Sequence, residues 1–259
     1  MMKFQEEIIS FIEGHSLKTL PHFIILVGEK GCGKHLLCNH IASVYHLLIK
    51  DISESITLAA IQEIEDSVEP YLYLMDGEKT EQKCQNILLK TLEETPSNAW
   101  FIYLCETEEQ LIPTIRSRGC IIRFKAYTKS QLSSFNTSED SKVLQYATTP
   151  GQVIKWQKEN ISEAETLASK IIQYFDRANL SNLLSISSKI AFQGELDKID
   201  ADLLLRVLTY QLLQRLCTSN SEVLFKLYIK TRAISNTLHR GNKDQLGLFE
   251  NFLCQLKEG

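Results

Sequence analysis

The apolar run Phe-Ile-Ile-Leu-Val-Gly at residues 23–28 constrains the fold of this chain more than any other stretch. A continuous apolar run that ends in glycine indicates a strand buried on both faces, as in a parallel sheet. Four apolar residues then recur at the spacing of a helix, namely Leu37, Ile41, Val44 and Leu48. The segment between them, residues 28–35, reads Gly-Glu-Lys-Gly-Cys-Gly-Lys-His. A glycine-rich loop is therefore expected to join a buried strand to a helix.

This loop has the Gly-x4-Gly-Lys spacing of a nucleotide-binding loop. In such loops backbone N–H groups contact the phosphates, the lysine neutralises their charge, and a Ser or Thr hydroxyl ligates Mg²⁺. Gly28, Gly33 and Lys34 supply the first two parts. His35 stands where the hydroxyl is expected, and imidazole is a poor ligand for Mg²⁺, which prefers oxygen.

A second departure follows the next buried run, Tyr-Leu-Tyr-Leu-Met-Asp at 71–76. Asp76 is placed to orient a metal-bound water, but Gly77 occupies the position at which this class of ATPase keeps its water-activating base. Two defects in the same chemistry predict that the chain does not hydrolyse ATP, and they leave nucleotide binding open. The candidate residues of this degenerate ATP site are Gly28, Gly31, Gly33, Lys34, His35 and Asp76.

Strand and helix patterns alternate through the first half of the chain. Further buried strands are predicted at 100–106 and 120–124, and the residues at 86–94 form a helical pattern. This alternation predicts a doubly wound α/β sheet. After about residue 126 no strand pattern follows, and apolar residues keep helical spacing to the end. We therefore predict an α/β domain at 1–126, a small helical domain at 127–162 and a helical domain at 163–259.

Composition is that of an ordinary globular protein, with 44% hydrophobic residues, 23% charged residues and a net charge of −4. This balance argues against a strongly basic nucleic-acid binder. No apolar run approaches the ~18 residues that span a bilayer, and acids interrupt the apolar pattern of the first residues. The sequence thus predicts a cytoplasmic protein.

The seven cysteines are odd in number and lack Cys-x-x-Cys spacing, which predicts reduced thiols rather than a disulfide framework. Cys32, His35, Cys38 and His40 lie close together in sequence without a second ligand pair at a distance. A tetrahedral zinc site needs such a pair. No metal site is predicted.

The segment NILLKTLEETPSNAWFIYLCETEEQLIPTIRSRGCIIRF at 86–124 closely resembles the AAA+ clamp-loader subunits of bacterial DNA polymerase III. Members share a helix of the LLKTLEEP type, a sensor strand and a PTIxSRC-type element. Here that element is Pro113–Arg118, with Gly119 inserted before Cys120. The resemblance covers residues 1–125 well and the helical remainder more loosely. It implies an AAA+ parallel-sheet domain, a helical lid domain and a helical collar.

The resemblance implies a role for Arg118. In the family, the arginine of the Ser-Arg-Cys element is a finger acting in trans, which reaches the γ-phosphate held by a neighbouring subunit. A guanidinium stays protonated and stabilises charge on the transferred phosphoryl group. The inserted Gly119 leaves the reach of Arg118 open, and Arg116, two residues away, competes for the assignment.

Motor subunits of the family keep a Lys-Thr or Lys-Ser pair, an Asp-Glu pair and usually a four-cysteine zinc module between them, which this chain lacks. Lost ATP chemistry beside a retained Arg118 resembles the delta-prime type, a rigid stator that needs no cofactor of its own. The implied partners are clamp-loader motor and delta subunits, the sliding clamp through the assembly, and primed DNA indirectly. Two alternatives stay open: a motor-type ATPase with a divergent loop, and a nucleotide-sensing AAA+ adaptor.

Overall fold

The computed structural model of the chain describes residues 4–54, 56–77, 80, 82–177, 199–219 and 221–238. Its strands are β1 (Phe23–Val27), β2 (Leu48–Asp51), β3 (Tyr71–Asp76), β4 (Ala99–Cys105) and β5 (Cys120–Arg123). They form one five-stranded sheet in the order β2-β3-β4-β1-β5, and every neighbouring pair is parallel. The predicted strands at 23–28, 71–76, 100–106 and 120–124 are confirmed.

Helices cover both faces of the sheet. They are α1 (Glu6–Glu13), α2 (Lys34–Tyr45), α3 (Leu58–Asp66), α4 (Gln82–Glu93) and α5 (Pro113–Arg116). Along β1, Ile24 and Leu26 join the apolar cluster that includes α1 and α2, whereas Phe23 and Ile25 join the cluster that includes α3, α4 and α5. Successive side chains of a strand point to opposite faces, so the continuous apolar run fills two cores.

Strand β2 corrects the sequence interpretation. The helical pattern was expected to continue to Leu48, but α2 ends at Tyr45, and His46 adopts a left-handed conformation with φ 54°. Leu48 instead begins β2, which lies at an edge of the sheet with its residues exposed. An exposed edge strand needs no apolar run, and His46 is not the glycine that usually signals a helix end. The sequence therefore predicted four strands and missed the fifth.

After β5 the part of the chain that the structure describes contains helices and no strand. They are α6 (Lys129–Ser133), α7 (Val143–Tyr146), α8 (Pro150–Trp156), α9 (Ile161–Arg177), α10 (Ala201–Leu216) and α11 (Glu222–Leu238). Helices α9, α10 and α11 contact one another. Their predicted apolar spacing is buried at Leu205, Leu208, Leu212, Leu224 and Leu227. The fold class, parallel α/β followed by all-α, is confirmed.

The chain divides into two compact units. One comprises the described residues up to Gln131 together with Thr149–Gly151, and the other comprises Leu132–Thr148 and the described residues from Gln152 onward. The three-domain division stays a prediction, and residues 239–259 of the predicted helical domain lie outside the described residues. Each helix within the described ranges is too short or too polar to cross a membrane.

Candidate functional site

The glycine-rich loop joins β1 to α2, as predicted, and its glycines are fixed by backbone shape and space. Gly31 and Gly33 have φ values of 83° and 112°, a region that glycine adopts without steric cost. Gly28 is closely packed, because an added Cβ would lie 2.8 Å from Cys32 Sγ and 2.9 Å from Phe124 Cβ. The three glycines therefore shape the loop, whatever it binds.

The inner side of the loop offers backbone donors. Within the described residues, the N–H groups of Gly33 and His35 have no hydrogen-bond acceptor, whereas that of Lys34 donates to the Cys32 sulfur. They lie at the start of α2, where the helix dipole favours an anion. The Lys34 ammonium donates to the carbonyl oxygens of Gly28 and Glu29. The unpaired backbone N–H groups at the start of α2 therefore fit a phosphate group.

The outer side of the loop is held by a later part of the chain. Three consecutive carbonyl oxygens of the loop accept hydrogen bonds from this part. The Lys30 carbonyl accepts from Thr149 Oγ1 at 2.9 Å, and the Gly31 carbonyl accepts from the Gly151 N–H at 3.0 Å. The Cys32 carbonyl accepts from the Tyr127 hydroxyl at 2.9 Å. Gly151 has no room for a side chain, since an added Cβ would lie 2.7 Å from Gly31 Cα. The loop is thus a seat for residues 149–151, a contact that the sequence did not reveal.

Two of the three residues expected to supply the catalytic metal ligands and the base lack the functional group that ATP hydrolysis needs. His35 is exposed and presents imidazole in place of a hydroxyl. Asp76 ends β3, and its backbone N–H donates to Ser53 Oγ at 2.8 Å. At Gly77, an added Cβ would lie 2.9 Å from the Leu104 carbonyl oxygen, so this backbone leaves no space for a carboxylate.

The thiols near the loop are buried and protonated. Burial raises the pKa of Cys38 and of Cys105 to about 12, from an ordinary value of 9.0. Because metals bind thiolates, neither group is prepared for a metal. In the described ranges no three His, Cys, Asp or Glu side chains come together in a metal-binding arrangement.

Arg118 lies at the end of the strands opposite to the end that carries the loop. It precedes β5, whose first residue, Cys120, pairs with Ile24 near the start of β1. The loop follows Val27, at the other end of β1. The structure therefore separates Arg118 from the other predicted site residues by the length of a strand. The next residue, Gly119, has little room for a side chain, because an added Cβ would lie 2.3 Å from Ile25 Cδ1.

The Arg118 guanidinium is held at two points. One terminal nitrogen donates to the Thr114 carbonyl, and the other pairs with Glu93 at the end of α4. An arginine side chain has five N–H donors, so three have no acceptor among the described residues. The side chain is 31% exposed. Sequence reasoning missed Glu93, because 25 residues separate it from Arg118 and no spacing pattern links them.

Arg116, the alternative finger, ends α5 and is partly buried. Its guanidinium makes no hydrogen bond or ion pair with any residue that the structure describes. Both arginines thus remain candidates on contacts alone. They differ in that Arg118 is hydrogen-bonded to two partners, whereas Arg116 interacts electrostatically with Glu109.

Comparison with known proteins confirms the predicted resemblance to bacterial DNA polymerase III subunits over part of the chain. Residues 46–128 match the family model described as DNA polymerase III, delta subunit. The chain is 29% identical over 103 residues to the DNA polymerase III subunit delta' of Haemophilus influenzae. That match covers 35% of this chain and 32% of the relative's length.

Two solved structures that align with the chain are more distant in sequence. A DNA polymerase III, gamma subunit-related protein from Thermotoga maritima aligns with a TM-score of 0.49 and 17% identity over 98% of both chains. The RuvB Holliday junction branch migration motor of the same organism aligns with a TM-score of 0.45 and 18% identity, over 82% of this chain and 87% of that chain.

Proposed function

We propose that this chain is a non-hydrolysing, delta-prime-type stator of a DNA polymerase III clamp loader. In this role Arg118 reaches the γ-phosphate of ATP bound to a neighbouring motor subunit. The chain's own loop then has a structural role, which is to bind residues 149–151. The partners are then the motor and delta subunits, with the sliding clamp and primed DNA reached through the assembly.

The position of Arg118 carries this proposal. It lies at the end of the strands opposite to the chain's own phosphate loop, so it cannot serve a nucleotide bound at that loop. Three of its donors are uncommitted within the described part of the chain, and its side chain is partly exposed. A guanidinium in this setting suits a phosphate held by another molecule.

Reconstitution with the cognate motor and delta subunits tests the finger. Arg118→Ala is expected to assemble normally and to lower DNA-stimulated ATP turnover, because fingers contribute on the order of 10³–10⁵ in rate. ATP turnover and clamp loading are the measurements. Arg123→Ala is the matched control, since Arg123 is an exposed arginine of β5 that pairs with Glu108. Unchanged turnover in Arg118→Ala, or a loss only in Arg116→Ala, contradicts the assignment.

A second candidate, nucleotide sensing without hydrolysis, is favoured by the backbone N–H groups of Gly33 and His35, which are unpaired within the described residues. Titration calorimetry of the isolated chain with ATP tests it, with Lys34→Ala as the comparison. Saturable binding that Lys34→Ala abolishes supports sensing. Cleavage of Mg·ATP by the isolated chain, lost in Lys34→Ala, instead supports a motor-type ATPase and contradicts the stator.

A further inference from the structure

We propose that Glu93 is a positioning residue for the Arg118 finger. This inference rests on the proposed function and concerns the same site. Glu93 is the last residue of α4, and its carboxylate oxygen Oε1 pairs with a terminal nitrogen of Arg118. It acts through Arg118 and has no direct role at the nucleotide.

The two contacts of Arg118 fix the direction of its guanidinium plane. Thr114 supplies a carbonyl from the α5 segment that carries the arginine, so this contact moves with the finger. Glu93 supplies the second contact from a different helix, and α4 packs against α5. A carboxylate on a separate element can therefore orient the guanidinium relative to the sheet.

This arrangement leaves donors for a ligand. Two of the five N–H groups are used, one by Thr114 and one by Glu93, and the remaining three have no acceptor among the described residues. A guanidinium group that is already held at two nitrogens loses less conformational entropy when it binds a phosphate than a mobile guanidinium does. The contact with Glu93 is therefore expected to speed the step that uses the finger.

The ion pair is a weak contributor to folding. Its side chains are 31% and 50% exposed, and pairs at such exposure contribute little to stability because water screens them. Misplacement of a catalytic group by about 1 Å, in contrast, costs on the order of 10²-fold in rate. A positioning role and a merely structural role thus predict different results.

Steady-state ATP turnover of the reconstituted clamp loader tests the inference. Glu93→Ala is expected to lower kcat by roughly 10- to 100-fold while leaving assembly and the thermal unfolding midpoint of the isolated chain close to wild type. Glu93→Gln keeps an oxygen acceptor and is expected to retain an intermediate rate. Glu94→Ala, at the exposed neighbouring glutamate, is the matched control and should behave as wild type.

A double variant separates action through Arg118 from an independent effect. If Glu93 positions the finger, Glu93→Ala combined with Arg118→Ala has the turnover of Arg118→Ala alone. A further drop in the double variant, or wild-type turnover in Glu93→Ala while Arg118→Ala is impaired, overturns the inference and leaves the stator proposal intact. Unchanged turnover in Arg118→Ala overturns the stator proposal and this inference with it.

Discussion

At the scale of single residues, Gly77 lies where the surrounding backbone leaves no space for a side chain. Its N–H donates to the Leu104 carbonyl at 2.7 Å, and an added Cβ would lie 2.9 Å from the same oxygen. Because this neighbour is main chain of a buried central strand, it has little freedom to move. The water-activating base is therefore missing for lack of space as well as by residue type.

We accordingly expect that Gly77→Glu lowers stability and restores no ATPase activity. Contacts of this kind cost about 1–3 kcal/mol when they force backbone shifts. The free energy of unfolding in urea and the Mg·ATP turnover of the isolated variant measure both effects. Gly14→Ala is the comparison, since its added Cβ would come no closer than 3.1 Å to the Ser10 carbonyl. ATP hydrolysis by Gly77→Glu would contradict the expectation.

The site could be predicted from the sequence only where residue identity carries the information. His35 shows that the Mg²⁺-ligating hydroxyl is missing, and Gly77 shows that the water-activating carboxylate is missing, because each chemistry needs a particular functional group. The contacts of Glu93 with Arg118 and of Gly151 with Gly31 join residues that are far apart in sequence. Neither has a local pattern, so only the fold reveals them.

Among the elements, Asp200 joins α8 to α10. It caps α10 by accepting the Leu203 N–H at 3.1 Å, and it accepts the indole N–H of the fully buried Trp156 at 2.9 Å. Lys155 pairs with its other oxygen. Burial alone would raise the pKa of Asp200, but the hydrogen bonds from Lys155, Leu203 and Trp156 outweigh it, and the pKa is lowered.

Removing this carboxylate is expected to destabilise the second unit. Asp200→Ala leaves the buried indole N–H without an acceptor and removes a cap, a loss of about 2 kcal/mol. A folded-state pKa below the ordinary 3.8 means that the contribution is present at neutral pH and disappears as the pH falls through the lowered pKa. Urea unfolding at pH 7 and pH 3 measures both. Asp200→Asn, which keeps one acceptor, should be intermediate, and equal stability of all three proteins would contradict the argument.

The sequence predicted elements well where burial leaves a pattern. Strand β4 is buried along its whole length, and β3 over its four central residues, so both are long apolar runs. Strand β2 is exposed and only four residues long, so neither alternation nor an apolar run marks it. The end of α2 was also missed, since its left-handed C-cap residue is His46 rather than the glycine that usually signals a helix end.

For the whole molecule, the cysteines show a protein that does not rely on disulfides in its described parts. All six described cysteines are free thiols, and of these Cys32, Cys38 and Cys105 are buried whereas Cys217 is exposed. Burial raises the pKa of each of the three buried thiols. The thiolate is the reactive form, so these groups are shielded both by access and by protonation.

Alkylation of the native chain by iodoacetamide at pH 8 is therefore expected to modify Cys217 rapidly and to spare Cys32, Cys38 and Cys105. In urea all should react. Peptide mapping by mass spectrometry follows each site, and Cys217→Ser controls for the exposed thiol. Rapid modification of Cys38 in the folded protein would show that the α2 core opens more readily than its packing indicates.

The glycines of the phosphate loop have a consequence for reading such motifs. Gly28 is confined by Cys32 and Phe124, Gly31 and Gly33 adopt left-handed backbone, and Gly151 presses on Gly31. Each requirement would persist if no nucleotide ever entered. The Gly-x4-Gly-Lys signature here is thus accounted for by the architecture of the loop, and the motif by itself does not identify an energy-consuming enzyme.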